Sequence, residues 1–244
     1  MKQPIFYTAG QTAALRYAGN RLQQWGHDVS PVPTEYVTHL LLPVPSFESP
    51  GMLKGSVTLS GILKNLPENI TILGGNLPEL PYRRVDFLAD EYYLTENAAI
   101  TAHCAVKLVQ RQYPDIIRDV PVLIIGWGRI GKQLVPLLKA MGAIVTVAVR
   151  KECDIAALQA IHCNAVLLSR LAPQQYRILI NTAPAPVLDE KDCLPDGLLL
   201  DLASFRGIAG SRVLWARGLP NQDAPAASGN LIAKTALRYA LGKE

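Results

Sequence analysis

Three glycines in the stretch "VLIIGWGRIGKQL", Gly126, Gly128 and Gly131, are spaced as G-x-G-x-x-G. The chemistry this spacing serves is the holding of a pyrophosphate. The first glycine permits a tight turn, and the second lets backbone approach the phosphates. The third lets a helix lie close to the preceding strand, and the unpaired N–H groups at that helix start face the anion. The spacing alone is weak evidence. Here an apolar strand precedes it, an amphipathic helix follows, and a second strand, "AIVTVAV", arrives at the expected distance. Gly126, Trp127, Gly128, Arg129, Ile130 and Gly131 are therefore the expected cradle, the competing reading being a glycine turn that serves only a β-α unit. Trp127 is bulky for its place and either covers the ligand or packs between domains.

About twenty residues past such a turn, at the end of the second strand, an acid normally accepts from the ribose hydroxyls of NAD. This chain has Arg150 and Lys151 there. A carboxylate would repel a 2′-phosphate, whereas a guanidinium grips it by paired hydrogen bonds and a neighbouring ammonium adds charge. The pair predicts NADP (NADPH) as cofactor, with Arg129 assisting. The alternative is two solvated charges ending a strand.

The elements that must position these residues follow from the apolar pattern. A chain of 244 residues, 49% apolar and 18% charged, can bury one large core or two small ones, and two are expected. "PIFYTAG", "HDVSPV", "THLLLPVP" and "NITILGG" read as strands, with Leu15, Ala18, Leu22 and Trp25 on a helix between the first two and "LSGILKNLP" helical before the last. Gly10, Gly74 and Gly75 fall at strand ends, where open sheets bind ligands. "TENAAITAHCAVKLVQRQY" is a long connecting helix started by Thr95 and stopped by Pro114. The pattern then restarts through "VPVLIIG", "AIVTVAV", "RILINTA", "LLLDLAS" and "RVLWA", with Pro136 expected to kink the helix after the glycine turn.

The expected class is α/β, with two doubly wound parallel-sheet domains, the second a Rossmann NAD(P)-binding domain. The boundaries are 1–94 for a flavodoxin-like, substrate-side domain, 95–115 for the connecting helix and 116–222 for the NADP-binding domain. Residues 223–244 form a C-terminal helix packing back on the first. A net charge of +4 without a long basic run gives no support for nucleic acid or membrane binding. Cys104, Cys153, Cys163 and Cys193 are scattered, without ligand spacing, and read as reduced packing thiols; no metal is expected. No stretch is apolar enough to span a bilayer and the start shows no cleavage site, so a cytoplasmic location is expected.

With these residues in view, the sequence resembles the A-subunit family of dipicolinate synthase. The resemblance is carried by "VLIIGWGRIGKQL", "GAIVTVAVRK", "ILINTAPAPVLD", "LLLDLAS" and "GLPNQDAPAASG", and more loosely by "TAGQTAALRY", "LLPVPSF" and "LTENA". It implies NADP-dependent oxidation of a hydroxylated tetrahydrodipicolinate to dipicolinate, a small dicarboxylate substrate, a flavoprotein-like second subunit, and a fold similar to that of D-2-hydroxyacid dehydrogenases. A homo-oligomer is expected from the architecture. By the same resemblance Asn181, Thr182, Ala183 and Pro184 border the adenosine ribose, Leu202, Ala203 and Ser204 face the nicotinamide, and Gly218, Leu219 and Pro220 line its far side. Gly10, Pro45, Gly74, Gly75 and Arg206 stand on the substrate side. Glu96 and Ser204 are the catalytic candidates. A carboxylate at Glu96 acts as base or orients the substrate's amine, or is simply an acid well placed on a helix N-terminus.

Two departures bear on the substrate. After "DLAS" the family has arginine, where this chain has Phe205, with Arg206 one residue later; and Ala226 replaces a lysine after Ala-Pro. Arg83 and Arg84 are further candidates for a dicarboxylate, or a solvated charged loop. A D-2-hydroxyacid dehydrogenase would need a histidine late in the chain, and His27, His39, His103 and His162 all lie earlier than the last third. A nucleotide-binding regulatory subunit that has lost turnover is the other alternative.

Overall fold

The computed structural model describes residues 3–55 and 57–242. They form two compact units, one running to Asn97 and taking up the chain again from Pro220, the other spanning Ala98–Leu219.

The first unit is built on strands β1 (Ile5–Thr8), β2 (Asp28–Ser30), β3 (His39–Leu41), β4 (Thr71–Gly74) and β5 (Arg83–Asp86), with helices α1 (Ala13–Gln24) and α2 (Leu59–Leu63) between them. All neighbours are parallel, in the order β2-β1-β3-β4-β5. The order reverses between β1 and β3, so their C-terminal ends flank a switch point. Leu40, Leu41, Ile72 and Leu73 are fully buried, as expected of parallel strands covered on both faces. The Thr12 hydroxyl accepts from Leu15 N–H at 3.2 Å to start α1, which ends at Trp25 before Gly26 at φ +81°.

Two sequence readings change here. Arg83 and Arg84 open β5 instead of lying in a loop: Thr71 pairs with Arg83 and Gly74 with Asp86 along the sheet edge. Val85 is the one apolar residue within β5, too little for a periodicity. The Arg84 guanidinium donates to Leu77 O at 3.1 Å and pairs with Glu79. The long helix α3 runs Glu91–Gln112, starting ahead of Thr95, because Asp90 accepts from Tyr92 N–H (2.8 Å) and Tyr93 N–H (3.2 Å). Asp90 also takes the Arg238 guanidinium and the Tyr239 hydroxyl (3.0 Å) from the last helix, α7 (Pro225–Ala240), which follows the short α6 (Leu219–Asp223). The antiparallel ribbon Phe47–Ser49, Met52–Leu53, Val57–Thr58 was not signalled by periodicity either, being two or three residues per strand.

The second unit carries β6 (Pro121–Ile125), β7 (Ile144–Val149), β8 (Asn164–Leu167), β9 (Ile178–Asn181), β10 (Leu198–Asp201) and β11 (Leu214–Trp215), with α4 (Arg129–Ala140) and α5 (Glu152–Ala160). The order is β8-β7-β6-β9-β10-β11, all parallel. Both units are thus doubly wound α/β sheets, the second in Rossmann order. Pro136 lies inside α4, which continues unbroken through it. Cys104, Cys163 and Cys193 are buried and Cys153 is exposed; burial pushes the Cys163 and Cys193 thiols up, away from the reactive thiolate. Among the described residues no helix is long and apolar enough to cross a membrane, and no cluster of three metal-ligating side chains occurs.

In the first unit α7 packs closely on α1. A Cβ at Gly229 would stand 2.5 Å from Ala14 O and 2.9 Å from Ala18 N, both backbone atoms. Gly229→Ala is therefore expected to lower unfolding stability by roughly 1–3 kcal/mol through overpacking, whereas Gly26→Ala, whose added methyl meets no atom within 4 Å, costs only the strain of its φ of +81°. Urea unfolding of both variants measures the difference.

Candidate functional site

The glycine turn sits at the switch point between β6 and β9. Gly126 has φ +102°, and its N–H donates to Ala148 O at 2.9 Å. A Cβ on Gly126 would lie 2.8 Å from Thr182 Oγ1, and one on Gly131 would lie 2.3 Å from Gly126 O. Packing alone requires both glycines. Gly128 is different: a Cβ there would meet no protein atom within 4 Å, and its φ of −84° is open to any residue. No packing contact within the protein demands glycine at 128, and the open space in front of it leaves the backbone accessible to a ligand. Gly128 is also the N-cap of α4 and supplies no side chain to the helix start, so the first N–H groups of a twelve-residue helix are left to bind an anion.

From this turn opens a cleft of about 340 Å³, lined by Gly126, Trp127, Gly128, Arg150, Lys151, Asp154 and the segment 182–187. Of the cofactor residues expected from the sequence, Gly126, Trp127, Gly128, Arg150, Lys151, Thr182, Ala183 and Pro184 border it, whereas Arg129, Ile130 and Gly131 are not part of its lining. Arg150 and Lys151 are exposed at the end of β7. Trp127 is half-buried, with the Lys132 ammonium 5.9 Å from its ring centroid. Thr182 braces the turn, its hydroxyl donating to Ile125 O at 2.9 Å.

Asn181 stands behind the cleft and not in it. It is fully buried, and its amide makes a closed set of bonds: Nδ2 donates to Asp201 Oδ1 and Ala183 O, each at 3.0 Å, while Oδ1 accepts from Ala183 N–H at 3.0 Å. Asp201, fully buried, is the residue sequence reasoning missed. Its carboxylate also accepts from Ala203 N–H (3.0 Å), Gly207 N–H (2.7 Å) and Ile208 N–H (2.9 Å). The available signal was an acid and an amide ending two otherwise apolar strands, "ILIN" and "LLLD", which pair in register. Gly207 has no room for a Cβ, which would lie 2.4 Å from Asn181 Nδ2.

Leu202 and Ala203 are buried after β10 and Ser204 is exposed; none of the three lines the cleft. The Trp215 indole fixes this segment by donating to Ala203 O at 3.1 Å. Arg206 is engaged by its own loop, donating to Ile208 O at 3.2 Å and to Gly210 O, while Phe205 before it is 65% exposed. Gly218 is exposed at φ +67°, and Leu219 and Pro220 are buried.

In the first unit the expected substrate-side residues gather at the ends of β1, β3 and β4. A Cβ on Gly10 would lie 2.6 Å from Pro43 Cγ, one on Gly74 2.5 Å from Ser46 Oγ, and one on Gly75 2.7 Å from Val44 Cγ1. Ser46, also missed from sequence, is fully buried: its hydroxyl donates to Pro43 O (2.8 Å) and accepts from Gly75 N–H (3.0 Å), holding the Pro45 loop, entered by a cis Val44–Pro45 peptide, on β4. Gly10 also borders a wider recess along α1, of about 830 Å³, where Arg16 is the one charged side chain among the described residues of the lining. Glu96 is exposed in the second turn of α3.

No family model matches the sequence. The chain is 24% identical over 241 residues to the A-subunit of dipicolinate synthase of Bacillus subtilis (strain 168), with 84% of this chain and 78% of that protein covered. Its fold matches the corresponding dipicolinate synthase polypeptide from Bacillus halodurans with a TM-score of 0.84 at 19% identity, covering 98% of this chain and 97% of that one. The solved structure of the same polypeptide from Bacillus subtilis superposes with a TM-score of 0.83 at 20% identity, covering 100% and 99%. The chain is thus similar to the A-subunit of dipicolinate synthase in sequence over most of its length and in fold over nearly all of it.

The glycines separate by experiment. Gly128→Ala is expected to lower unfolding stability by no more than about 1 kcal/mol, the worth of the lost N-cap preference, while weakening nucleotide binding at least about tenfold; Gly131→Ala should lower stability more, by roughly 1–3 kcal/mol. Asp201→Ala leaves three loop N–H groups without their acceptor and should cost about 3 kcal/mol or more. Denaturant curves and nucleotide titrations on the same preparations read both effects.

Proposed function

We propose that this protein is an NADP-dependent oxidoreductase of the dipicolinate synthase kind, oxidising a hydroxy-tetrahydrodipicolinate to dipicolinate. The observation that carries the nucleotide half of this reading is the placing of Arg150 and Lys151 in the cleft of the glycine turn. The likeness to the A-subunit of dipicolinate synthase supports the substrate half.

The turn Gly126–Gly131 and the first N–H groups of α4 hold the pyrophosphate, with Trp127 and Ile130 against it and Arg129 adding charge. Arg150 takes the 2′-phosphate by paired hydrogen bonds and Lys151 adds a second cation. Thr182, Ala183 and Pro184 border the adenosine ribose, positioned from behind by Asn181. Leu202, Ala203 and Ser204 face the nicotinamide, with Gly218, Leu219 and Pro220 on its far side. When bound, NADP supplies the hydride acceptor. Conversion of a hydroxylated tetrahydropyridine to a pyridine balances as loss of one water, one hydride and one proton. Glu96 or Ser204 handles the proton, and Gly10, Pro45, Gly74 and Gly75 form the substrate-side wall. The reading also carries a cytoplasmic location, a homo-oligomer and a flavoprotein-like second subunit.

A second reading, a nucleotide-binding subunit without turnover, is favoured by one observation. The Arg206 guanidinium, displaced by one position from the family arginine, is engaged by Ile208 O and Gly210 O; to grip a substrate carboxylate it would have to leave them.

Titration with NADPH and NADH, followed by tryptophan fluorescence, is expected to show NADPH binding about ten- to a hundredfold tighter, the worth of a charge-assisted bidentate contact, and Arg150→Ala should remove most of that preference. Equal affinities in the parent protein defeat the NADP reading. Freshly generated hydroxy-tetrahydrodipicolinate with NADP should then yield NADPH, read by its near-ultraviolet absorbance; binding without turnover, with a second subunit present, selects the second reading.

A further inference from the structure

The nucleotide cleft holds a third charged side chain that the proposed function does not use. Asp154 lies in the first turn of α5, and its N–H donates to Lys151 O at 3.2 Å. Asp154 lines the same cleft as Arg150, Lys151 and Gly128. Among the described residues Arg150, Lys151 and Asp154 make no ion pair and no side-chain hydrogen bond, so two cationic residues and one anionic residue border a common cleft without direct pairing.

An acid near a helix start has a structural explanation in the helix dipole. Glu152 shares the first turn of α5 with Asp154 and meets the same dipole, but it lies outside this cleft, on the recess bordered by Ile155 and Gln159. The half-buried position of Asp154 inside the cleft is what the dipole does not explain.

We propose that Asp154 is the counter-determinant of nucleotide choice: its carboxylate accepts from the free 2′-hydroxyl of NADH and opposes the 2′-phosphate of NADPH that Arg150 and Lys151 attract. The inference rests on the nucleotide-cleft reading above. A phosphate monoester carries a charge of about −1.5 to −2 near neutral pH, so removing one facing negative charge strengthens its binding, and the gain shrinks with added salt. NADH lacks that phosphate and gains a hydrogen bond to the carboxylate instead, the use an acid serves in NAD-specific sheets of this kind. The cleft therefore accepts both nucleotides, with a preference set by three side chains instead of two.

The test is a parallel titration of the full chain and of Asp154→Asn and Asp154→Ala with NADPH and with NADH. Asp154→Asn keeps an acceptor and loses the charge: NADPH should bind about fivefold tighter, with NADH within about twofold of the parent. Asp154→Ala loses both: NADPH should again tighten while NADH weakens about fivefold. Repeating the NADPH titrations at about 0.5 M salt should erase most of the gain, and Glu152→Gln should leave the NADPH/NADH ratio unchanged. Thermal melts of each variant show that α5 is intact. If the parent binds both nucleotides and the ratio stays within about twofold in both Asp154 variants, or moves equally in Glu152→Gln, the role of Asp154 is overturned while the cleft reading stands. If the parent binds neither nucleotide, the cleft reading falls and this inference with it.

Discussion

One buried carboxylate organises the second unit. Asp201 ends β10 in the interior and accepts four N–H groups: the Asn181 amide and the backbone of Ala203, Gly207 and Ile208. Left unpaired, such a group would be expensive to bury; fully satisfied, it fixes every segment that donates to it. The chain leaving β10 is folded back so that Gly207 reaches Asn181, and Ile208 then pairs in parallel with Leu188. That short ladder, with Val187 N–H donating to Gly207 O at 2.7 Å, holds the segment 182–187 that walls the cleft beside the glycine turn. The rim of the site is thus set from behind, by a group that never touches it.

The first unit uses the same device with a neutral group. Loops leaving parallel strands carry backbone N–H and C=O groups that no neighbouring strand can pair, and burying them requires a partner. Ser46 is that partner at the β3 exit, as Asp201 is at the β10 exit, and each lies against a glycine that cannot carry a side chain, Gly74 and Gly207. Both anchors stand at the C-terminal ends of the strands, where sheets of this construction place their ligands.

A doubly wound sheet hosts many chemistries, so the fold alone does not select a substrate. What narrows the choice is the distribution of charge at the strand ends. Cations that are tied down, such as Arg84 on Glu79 and Leu77 O, or Arg206 on its own loop, hold structure together. Arg150 and Lys151 have no such ties among the described residues and face a cleft whose floor is a glycine turn. The same distinction, applied to acids, separates Asp201, saturated with donors, from Asp154, which faces the cleft.

The glycine spacing, the apolar runs around it and the two cations after β7 were legible in the sequence because each is local. A tight turn, a strand covered on both faces and the end of a strand are all specified within a short stretch of chain, and the parallel α/β class of both units followed from their succession; Thr182, which meets the turn from more than fifty positions away, was reached only through the family resemblance. The anchors were not legible, because Asn181 and Asp201 stand twenty positions apart and Ser46 and Gly75 twenty-nine. Their role exists only once register places them together. The strand β5 and the start of α3 at Asp90 were hidden for a related reason: edge pairing and a tertiary tie to Arg238 and Tyr239 decide them, and neither leaves a periodicity. The sequence by itself determined the glycine turn and the cations that follow β7. Only the tertiary structure decided which polar groups are consumed in holding the site's shape and which remain free to meet a ligand, because hydrogen-bond saturation depends on neighbours that are distant in the chain.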